Sequence, residues 1–554
     1  SIFEKVMIKI LNGIKKLILT IIYSKKFEAH NIRTFNKYRL NNEDNSSLIL
    51  VEFNHFCFEQ IGFSYLLHCL KKKYNCKVES YFSHPVVTYS LKRNTSQKIK
   101  FLLGRIFNIK NFGIYNSLGI NKFHFPEPKE KHISKANKIY KKFLKVNNTR
   151  EKILDFKIDN ILLGDLLYDS YLKKNYDIKP TIFLDDSKFL SFSFEFILYS
   201  IIWIDFFTQN KIKAVIGSHC VYSVGIPLRI AVYKKIDAFT LNSENLTRLN
   251  IKYPLQYCEF HNYRKNFKKI YLNKKKKGLR IAKQRFLSRL SGKFSPDYHY
   301  ATKSPFKKNR SVKNLIIKKS KKIKLVVATH DFVDAPHTLG NSFFPDFYQW
   351  LMFIGKISKK TDYDWYIKTH IPYGGKFDLY QPHERNVVKN FVKEYPNFTI
   401  IPPKTTFPEI ISKKIDGILT VNGTIGSEIP FYGIPIINAS LNNPHINYNF
   451  NIHPKNKREL EKIILNFIKY KKKLKISKDE MYEHYFMKNI YYDKDWIFDT
   501  HNKMIKEIGY WGQWTYKMYE YWLKNFDKRK HEKLILSLNK FIDSKEYRFK
   551  KSEY

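Results

Sequence analysis

Residues 323–440 alternate between short apolar runs and amphipathic stretches, and this alternation constrains the fold more than any other feature. The apolar runs are IKLVVATH, DWYIKTH, FTIIPP, DGILTV and PIINAS, separated by loops and helical patterns. A strand–helix–strand order of this kind predicts a parallel sheet with helical crossovers. The sequence therefore predicts a doubly wound, Rossmann-like α/β domain over residues 323–477.

A similar but less regular alternation occurs earlier in the chain. SSLILVEF, CKVESYF, KAVIGSH and IDAFTLN read as strands with helical patterns between them. A chain of 554 residues exceeds the usual size of one domain. We therefore expect another doubly wound domain over 46–261, facing the later one across a cleft. The remaining segments are predicted as a basic amphipathic segment (1–45), a Lys-dense linker (262–322) and an aromatic helical tail (478–554).

The formal charge of +51 indicates a surface that attracts anions, such as nucleic acid, anionic lipid or phosphorylated substrates. Lys, Ile, Asn, Tyr and Phe are all abundant, so part of this charge follows from compositional bias. No RNA-recognition signature or zinc-finger spacing is found, and no nucleic-acid partner is expected. The five cysteines form no CxxC pair, which favours free thiols in a reducing compartment over disulfides or a zinc site.

The N-terminal stretch FEKVMIKILNGIKKLILTIIYSKKF is apolar but interrupted by Lys9, Lys15 and Lys16. These lysines break any run of eighteen apolar residues, so a membrane-spanning helix is not expected. No signal-peptide cleavage pattern is present. The spacing suits an amphipathic helix with a basic face, which either lies on an anionic cytoplasmic membrane or packs on the protein's own core.

The stretch GILTVNGTIGSEIPFYGIPIINAS, residues 417–440, places a small-residue turn between two apolar runs. The candidate nucleotide-binding residues in it are Asn422, Gly423, Thr424, Gly426, Ser427 and Glu428. The glycines permit close approach of a ligand to the backbone, and the hydroxyls with helix amides can bind phosphate. Glu428 is then placed to accept hydrogen bonds from a ribose. The alternative is a capped helix in which Glu428 only stabilises the dipole.

The loop HDFVDAPH follows the first strand of the later domain and holds His330, Asp331, Asp334 and His337. These side chains suit an acid/base cluster next to the nucleotide or, less readily, a metal site. The alternative is a set of capped turns. The loop contains no DxD spacing, so no essential divalent ion is predicted.

The segment YIKTHIP ends the next strand with Lys368 and His370, just before Gly374 and Gly375. A lysine and a histidine at this position are candidates to neutralise a departing diphosphate. The alternative is a surface histidine. Because ligands bind beyond the carboxyl ends of strands in a doubly wound sheet, this loop, HDFVDAPH and NGTIGSE are all expected at one edge.

The earlier domain is expected to supply a general base that deprotonates an acceptor hydroxyl. GSHCVYSVG places His219 beyond a strand, and NILLGDLLYDSYL places two aspartates on one face of a helix. The candidates for the base are Asp165, Asp169, His55, Glu59 and His219. A structural role is the alternative for each.

Two doubly wound domains with a nucleotide site in the second resemble the GT-B fold of glycosyltransferases. TVNGTIGSEIPFYGIPIINAS is similar to the signature of bacterial capsule and surface-polysaccharide transferases. IKTHIP resembles their K-x-H-P segment, with Ile371 inserted before Pro372. HDFVDAPH, LLGDLLYDSYL and GSHCVYSVGIPLRIA also look like blocks of these proteins. The resemblance covers about residues 150–475, and related families include capsule Kdo transferases and glycerophosphotransferases of teichoic acid synthesis.

The resemblance implies a cytoplasmic enzyme, peripheral at the inner face of the plasma membrane. It would transfer a sugar from a nucleotide-sugar donor to a surface polysaccharide or lipid-linked glycan, and no cofactor is expected. One alternative is a polyol-phosphate transferase with a CDP-linked donor. Another is a non-catalytic basic protein that binds nucleic acid or membrane, whose binding would weaken uniformly with salt.

Overall fold

The apolar runs of the sequence fold as the strands of two main sheets. The computed structural model describes residues 2–35, 44–83, 95–109, 111–175, 180–293, 297, 304–307, 316–370, 381–498 and 501–550. The strands of the first domain are β1 (Asp44–Glu52), β2 (Cys76–Tyr81), β3 (Phe123–His124), β4 (Lys157–Ile158), β5 (Ile161–Leu162), β6 (Lys211–Gly217), β7 (Asp237–Leu241) and β8 (Leu246–Leu249). Those of the second domain are β9 (Lys324–Ala328), β10 (Asp364–Lys368), β11 (Phe398–Ile401), β12 (Gly417–Thr420) and β13 (Ile436–Asn438).

Both sheets have the doubly wound strand order. The first runs β3-β2-β1-β6-β7-β8, with β8 antiparallel to β7 and the other neighbours parallel, while β4 and β5 form a separate hairpin. The second runs β11-β10-β9-β12-β13, and all its neighbours are parallel. The prediction of two doubly wound α/β domains is confirmed. The order reverses between β1 and β6 in the first sheet and between β9 and β12 in the second, and ligands bind at such switch points.

Helices cover the faces of the sheets and connect the domains. Those before the second sheet are α1 (Ile2–Phe35), α2 (Cys57–Tyr74), α3 (Thr95–Ile106), α4 (Asn111–Ser117), α5 (Glu130–Val146), α6 (Arg150–Leu154), α7 (Gly164–Lys174), α8 (Ser187–Gln209), α9 (Ile226–Tyr233), α10 (Tyr263–Lys269) and α11 (Leu272–Leu290). Those after its first strand are α12 (Phe347–Ser358), α13 (Gln381–Glu394), α14 (Phe407–Ser412), α15 (Lys457–Leu465), α16 (Phe467–Lys473), α17 (Lys478–Phe486), α18 (His501–Ile508), α19 (Tyr516–Asn525) and α20 (Lys528–Ser544).

Among the described residues, α8 alone is long and apolar enough to cross a membrane by length and composition. The helix is apolar around most of its circumference because it packs within the first domain against α5, α7, α9 and β6. About two thirds of its most apolar window, 67%, is buried in this way. The helix therefore contributes to the core of the first domain in this structure.

The Lys-dense stretch predicted as a linker forms helices α10 and α11 over most of residues 263–290. Helix α11 packs against α17 and buries Ala282, Phe286 and Leu290 in the core of the second domain. Its lysines lie mainly on the opposite, exposed side. The stretch is therefore part of the second domain as well as the connection to it.

The predicted aromatic tail is helical and contributes to both domains. Helix α17 and the π-helical turn Met487–Tyr491 belong to the core of the second domain. The chain then returns, and Trp496, Met504, Trp522 and Leu538 pack in the core of the first domain with residues of α2. The polypeptide thus crosses between the domains twice.

Candidate functional site

The two switch points define the candidate site. In the first domain the loops after β1 and β6 carry His55 and His219, and in the second the loops after β9 and β12 carry His330 and the 422–428 turn. The loops of the two domains meet at Asp334, whose Oδ1 accepts hydrogen bonds from Lys173 Nζ and Tyr222 Oη, both at 2.6 Å. We call the space bounded by these loops the interdomain site.

On the first-domain side, His219 is exposed and is oriented by its neighbour. Its Nδ1 lies 2.9 Å from Ser218 Oγ. The Ser218 N–H in turn donates to Glu52 Oε2, at the end of β1, at 2.5 Å. Desolvation by the surrounding protein lowers the pKa of His219 below its ordinary value. The ring is therefore neutral near pH 7, as a proton acceptor must be.

On the second-domain side, His330 holds the loops after β9 and β12 together. The backbone N–H of Val421 donates to His330 Nε2 at 3.1 Å, and Thr420 Oγ1 lies 2.9 Å from the same nitrogen. The ring stacks on Phe347 with centroids 4.4 Å apart. Desolvation, with a smaller contribution from His370, lowers the pKa of His330 to about 3. His330 is thus a neutral positioning group at the switch point.

His370 follows β10 and is paired with a carboxylate. Its side chain is 35% exposed, and its Nδ1 lies 3.1 Å from Glu384 Oε1. Glu384 also accepts from Thr329 Oγ1 at 2.6 Å. Burial opposes the charge, but the Glu384 carboxylate outweighs it and raises the pKa of His370. Glu384 lies in α13 and was not predicted from the sequence. Gly374 and Gly375, expected beside His370, lie outside the described residues.

The structure does not place Lys368 where a phosphate can reach it, contrary to the sequence expectation. Its side chain is buried, and Nζ donates to the carbonyl oxygens of Thr369 at 2.7 Å and Pro403 at 2.9 Å. Burial lowers the pKa of Lys368 to about 8. The ammonium group ties two loops at the edge of the sheet instead of facing the interdomain site.

The 422–428 turn consists of short 3₁₀ turns instead of the expected helix. Asn422 and Gly423 are half-buried and Thr424 is exposed. A Cβ atom on Gly423 would lie 2.7 Å from Thr420 Oγ1, and one on Gly426 would lie 2.5 Å from the His445 ring. Packing within the protein therefore explains both glycines, without close approach of a ligand.

The rest of the turn is buried. Ser427 Oγ donates to the Thr424 carbonyl oxygen at 2.8 Å. Glu428 is 1% exposed and forms an ion pair with Arg289 of α11. Ser427 and Glu428 do not face the interdomain site as expected from the sequence, because both side chains have partners inside the protein. Arg289 was not predicted, since it is 139 residues away in a stretch that is Lys-rich throughout.

Several polar atoms behind the turn have no hydrogen-bond partner among the described residues. They are both ring nitrogens of His445, both amide atoms of Asn438 and Oδ1 of Asn451. Asn451 Nδ2 donates to the Gly426 carbonyl oxygen at 2.7 Å, which connects this group to the turn. Buried polar atoms in native proteins are nearly always paired, so these indicate bound water or a polar ligand.

The aspartates predicted as bases have structural partners. Asp165 forms a bidentate ion pair with Arg229 of α9, with Nη1 at 2.8 Å from Oδ1 and Nη2 at 2.6 Å from Oδ2. Asp169 Oδ1 lies 2.5 Å from Nδ1 of His337, which joins α7 to the second domain. His337 Nε2 donates to the Pro345 carbonyl oxygen at 2.9 Å. These contacts give structural roles to Asp165, Asp169 and His337. None of the three is available to a substrate in this structure.

Glu59 and His55 are the remaining candidates for the base. His55 is exposed in the loop after β1. Glu59 is 2% exposed, and Trp514 Nε1 donates to its Oε1 at 3.3 Å. Burial raises the pKa of Glu59 to about 8. A carboxyl group in this position stays protonated near pH 7, so His219 and His55 are the accessible bases.

A cavity of about 480 Å³ lies elsewhere, between the start of α11 and residues 546–550. Its lining includes Lys265, Lys269, Tyr271 and Tyr491. It does not include the loops at the switch points, so it is separate from the interdomain site.

Comparisons with known proteins add little to this geometry. No protein-family model matches the chain, and no curated protein matches its sequence. One similar solved structure is a UDP-GlcNAc 2-epimerase from Neisseria meningitidis bound to UDP-GlcNAc, with 11% identity over 83% of this chain and 98% of that chain and a TM-score of 0.23. Another is a UDP-GlcNAc 2-epimerase from Methanocaldococcus jannaschii in complex with UDP-GlcNAc and UDP, with 13% identity over 79% of this chain and 97% of that chain and a TM-score of 0.25. An S. aureus MnaA–UDP structure matches at 9% identity over 83% and 95%, with a TM-score of 0.21. At such TM-scores these matches carry no argument about the activity of this chain.

Proposed function

We propose that the protein is a glycosyltransferase that moves a sugar from a nucleotide-sugar donor to a surface polysaccharide or lipid-linked glycan. The observation that carries the proposal is the pairing of roles across the interdomain site. An exposed histidine with a lowered pKa, His219, lies at the switch point of one sheet, and a histidine with a raised pKa, His370, follows the strand next to the other switch point. Asp334, in the loop after β9, contacts Tyr222 in the loop that carries His219 and Lys173 at the end of α7.

In this proposal the donor diphosphate binds near Asn422, Thr424 and His370. His219 accepts the proton of an acceptor hydroxyl, whose oxygen forms a bond to the anomeric carbon. The bond from that carbon to the donor phosphate breaks, and the nucleoside diphosphate leaves with its electron pair. The positive charge of His370 stabilises the departing phosphate. Closure of the domains around Asp334 excludes water, which competes with the acceptor.

Glu428 keeps a role at the ribose only if one carboxylate oxygen becomes accessible while Arg289 holds the other. No metal and no cofactor enter the proposal. We place the enzyme at the cytoplasmic face of an anionic membrane, with the N-terminal helix in contact with lipid. A polyol-phosphate transferase uses the same phosphate site and is separated from a glycosyltransferase by the donor that it consumes.

Thr424→Asp tests the phosphate site, because it puts a negative charge on an exposed position without disturbing a buried partner. Ser412→Asp is the matched control, since Ser412 is exposed at the end of α14, near the opposite edge of the same sheet. We expect one of CMP, CDP, UDP or GDP, or a sugar conjugate, to raise the Tm of the wild type and of Ser412→Asp by several degrees. Thr424→Asp should abolish that rise.

The product then identifies the reaction. Transfer of the sugar with release of nucleoside diphosphate supports the proposal. A nucleotide sugar that binds but is only epimerised, or a CDP-polyol that is consumed in its place, contradicts it. No nucleotide-dependent change in Tm, with equal behaviour of both variants, also contradicts it.

A further inference from the structure

The first two thirds of α1 extend away from the rest of the described chain. Ten large apolar side chains between Val6 and Ile22 are 41–58% exposed. The end of the helix is fixed, because Phe27 stacks on Tyr519 with centroids 4.6 Å apart and Asn31 Nδ2 donates to Ser117 Oγ at 3.1 Å. Val6–Ile22 extends about 25 Å at 1.5 Å per residue. An apolar surface of this size requires a partner.

Helix α3 presents another exposed apolar face. Six side chains in α3 and the turn after it are 43–67% exposed: Ile99, Leu102, Leu103, Ile106, Phe107 and Ile109. Helix α4 packs against both α1 and α3, so the three helices are connected. We call the exposed apolar residues of 6–22 and 99–109 together the apolar surface.

The charges beside the apolar surface select its partner. Lys9, Lys15 and Lys16 lie along α1, and Lys100 and Arg105 lie on α3. Glu4 is the sole acidic residue in 2–27, and 95–109 contain none. A second copy of the chain would bring like charges together. An anionic bilayer instead satisfies both the apolar side chains and the basic ones.

The apolar surface adjoins the first-domain side of the interdomain site. Phe53 and Phe82 directly follow β1 and β2 at the carboxyl edge of the first sheet. Phe82 packs against Phe101 of α3 with centroids 5.1 Å apart, and Phe53 packs against Phe112 of α4 at 4.8 Å. His55 follows Phe53 by two residues, so the apolar surface and the candidate bases share one edge.

We infer that α1 and α3 dock together on an anionic bilayer and present the first-domain side of the interdomain site to an acceptor carried by a membrane lipid. The identity of the acceptor rests on the proposed function, whereas the docking does not. The inference goes beyond contact by the N-terminal helix, because it assigns α3 to the same surface and orients the site toward the membrane.

Single labelled cysteines test whether both helices insert together. The five native cysteines are buried, so Ile14→Cys and Phe107→Cys can be labelled selectively with an environment-sensitive dye. Leu536→Cys is the control, because Leu536 is 63% exposed on α20, outside the apolar surface. Vesicles of phosphatidylcholine with phosphatidylglycerol should raise the emission of both test labels several-fold and leave the control unchanged. A response at Ile14 alone overturns the two-helix surface, and a response at neither overturns docking.

Charge substitution tests the same surface without a label. Leu102→Glu with Ile106→Glu should lower binding of the full chain to anionic vesicles at least tenfold, while Leu536→Glu should not. Equal binding of all variants overturns the inference. The inference is also overturned if the wild type does not bind vesicles and the double substitution instead abolishes self-association of the protein.

The nucleotide-dependent rise in Tm should persist in Leu102→Glu/Ile106→Glu. If docking fails while that rise remains, only this inference fails. If docking succeeds without a nucleotide response, only the proposed function fails.

Discussion

At the scale of single residues, the histidines of the interdomain site differ because their neighbours differ. His330 is packed on Phe347 and accepts from a backbone N–H, and its pKa falls to about 3. His370 is paired with Glu384, and its pKa rises. His219 has an exposed side chain, yet desolvation by the surrounding protein lowers its pKa. In the proposed reaction, one residue type thus supplies a positioning group, a cation and a base.

The pH profile of kcat/KM tests this division. The lowered pKa of His219 places the acidic limb below the ordinary pKa of histidine, because the base must be neutral. The raised pKa of His370 places the basic limb above it, because the cation is lost as pH rises through that pKa. Glu384→Gln removes the carboxylate that stabilises the cation, so the basic limb should move to lower pH.

The control for this profile is Glu394→Gln, an exposed substitution at the end of the same helix, which should leave both limbs in place. His219→Ala should reduce kcat by about 10²–10⁴. His55→Ala is the comparison: if it costs as much and His219→Ala little, His55 is the base and the assignment of His219 is incorrect.

At the scale of elements, the strands of the second domain could be predicted because each apolar run is short and bounded by a loop. IKLVVATH and DWYIKTH became β9 and β10 close to their expected limits. The partners of buried charges could not be predicted, since Asp165 and Arg229 are separated by 64 residues. No local pattern distinguishes a carboxylate that faces a substrate from one that meets a distant guanidinium. The edge of the sheet was therefore predictable, but not which side chains remain available there.

Helix α11 shows how a stretch predicted as a Lys-dense linker can be required for folding. Arg289→Met removes the guanidinium that is paired with the buried Glu428 carboxylate, and we expect the free energy of unfolding to fall by about 3–5 kcal/mol. Urea unfolding measures this loss of stability as a lower midpoint with an unchanged m-value.

Arg285→Met, one turn earlier on the same helix, is the control. Arg285 is 41% exposed and lies 3.6 Å from Asp297, whose buried carboxylate also accepts from Tyr485 Oη, so the loss of Arg285 should cost under about 1 kcal/mol. If Arg289→Met is as stable as the control, the ion pair is not formed in solution, and Glu428 returns as a candidate ribose ligand.

At the scale of the whole molecule, the domains share an apolar cluster and also meet through polar contacts of two kinds. Buried ones include His337 with Asp169, and Thr181 Oγ1, which donates to Asp346 Oδ2 at 2.6 Å. Asp334, half-exposed at the rim, contacts Lys173 and Tyr222. The buried contacts fix how the domains are arranged, and the exposed ones, which include Asp334 with Lys173 and Lys457 with Glu151, are the contacts that domain motion would break first.

Asp334→Asn should therefore separate function from stability. Because the pair with Lys173 is half-exposed, the free energy of unfolding should change by under about 1 kcal/mol. The weaker closure should raise hydrolysis of the donor relative to transfer, measured as free sugar against product. Asp362→Asn removes an exposed partner of Lys322 away from the site and should leave the ratio unchanged. An unchanged ratio in Asp334→Asn would exclude a role for this contact in closure.

The return of the chain from the second domain to the first sets the order of events during synthesis. Trp496, Trp522 and Leu538 complete the core beneath α2, yet the ribosome makes them after every strand of the second domain. The first domain therefore cannot complete its core until the end of the chain has been synthesised, and the apolar face of α2 stays uncovered until then. The second domain has all its core residues earlier. We infer that the nascent first domain is the part of this protein that depends on chaperones, although domains ordinarily fold in the order in which they emerge.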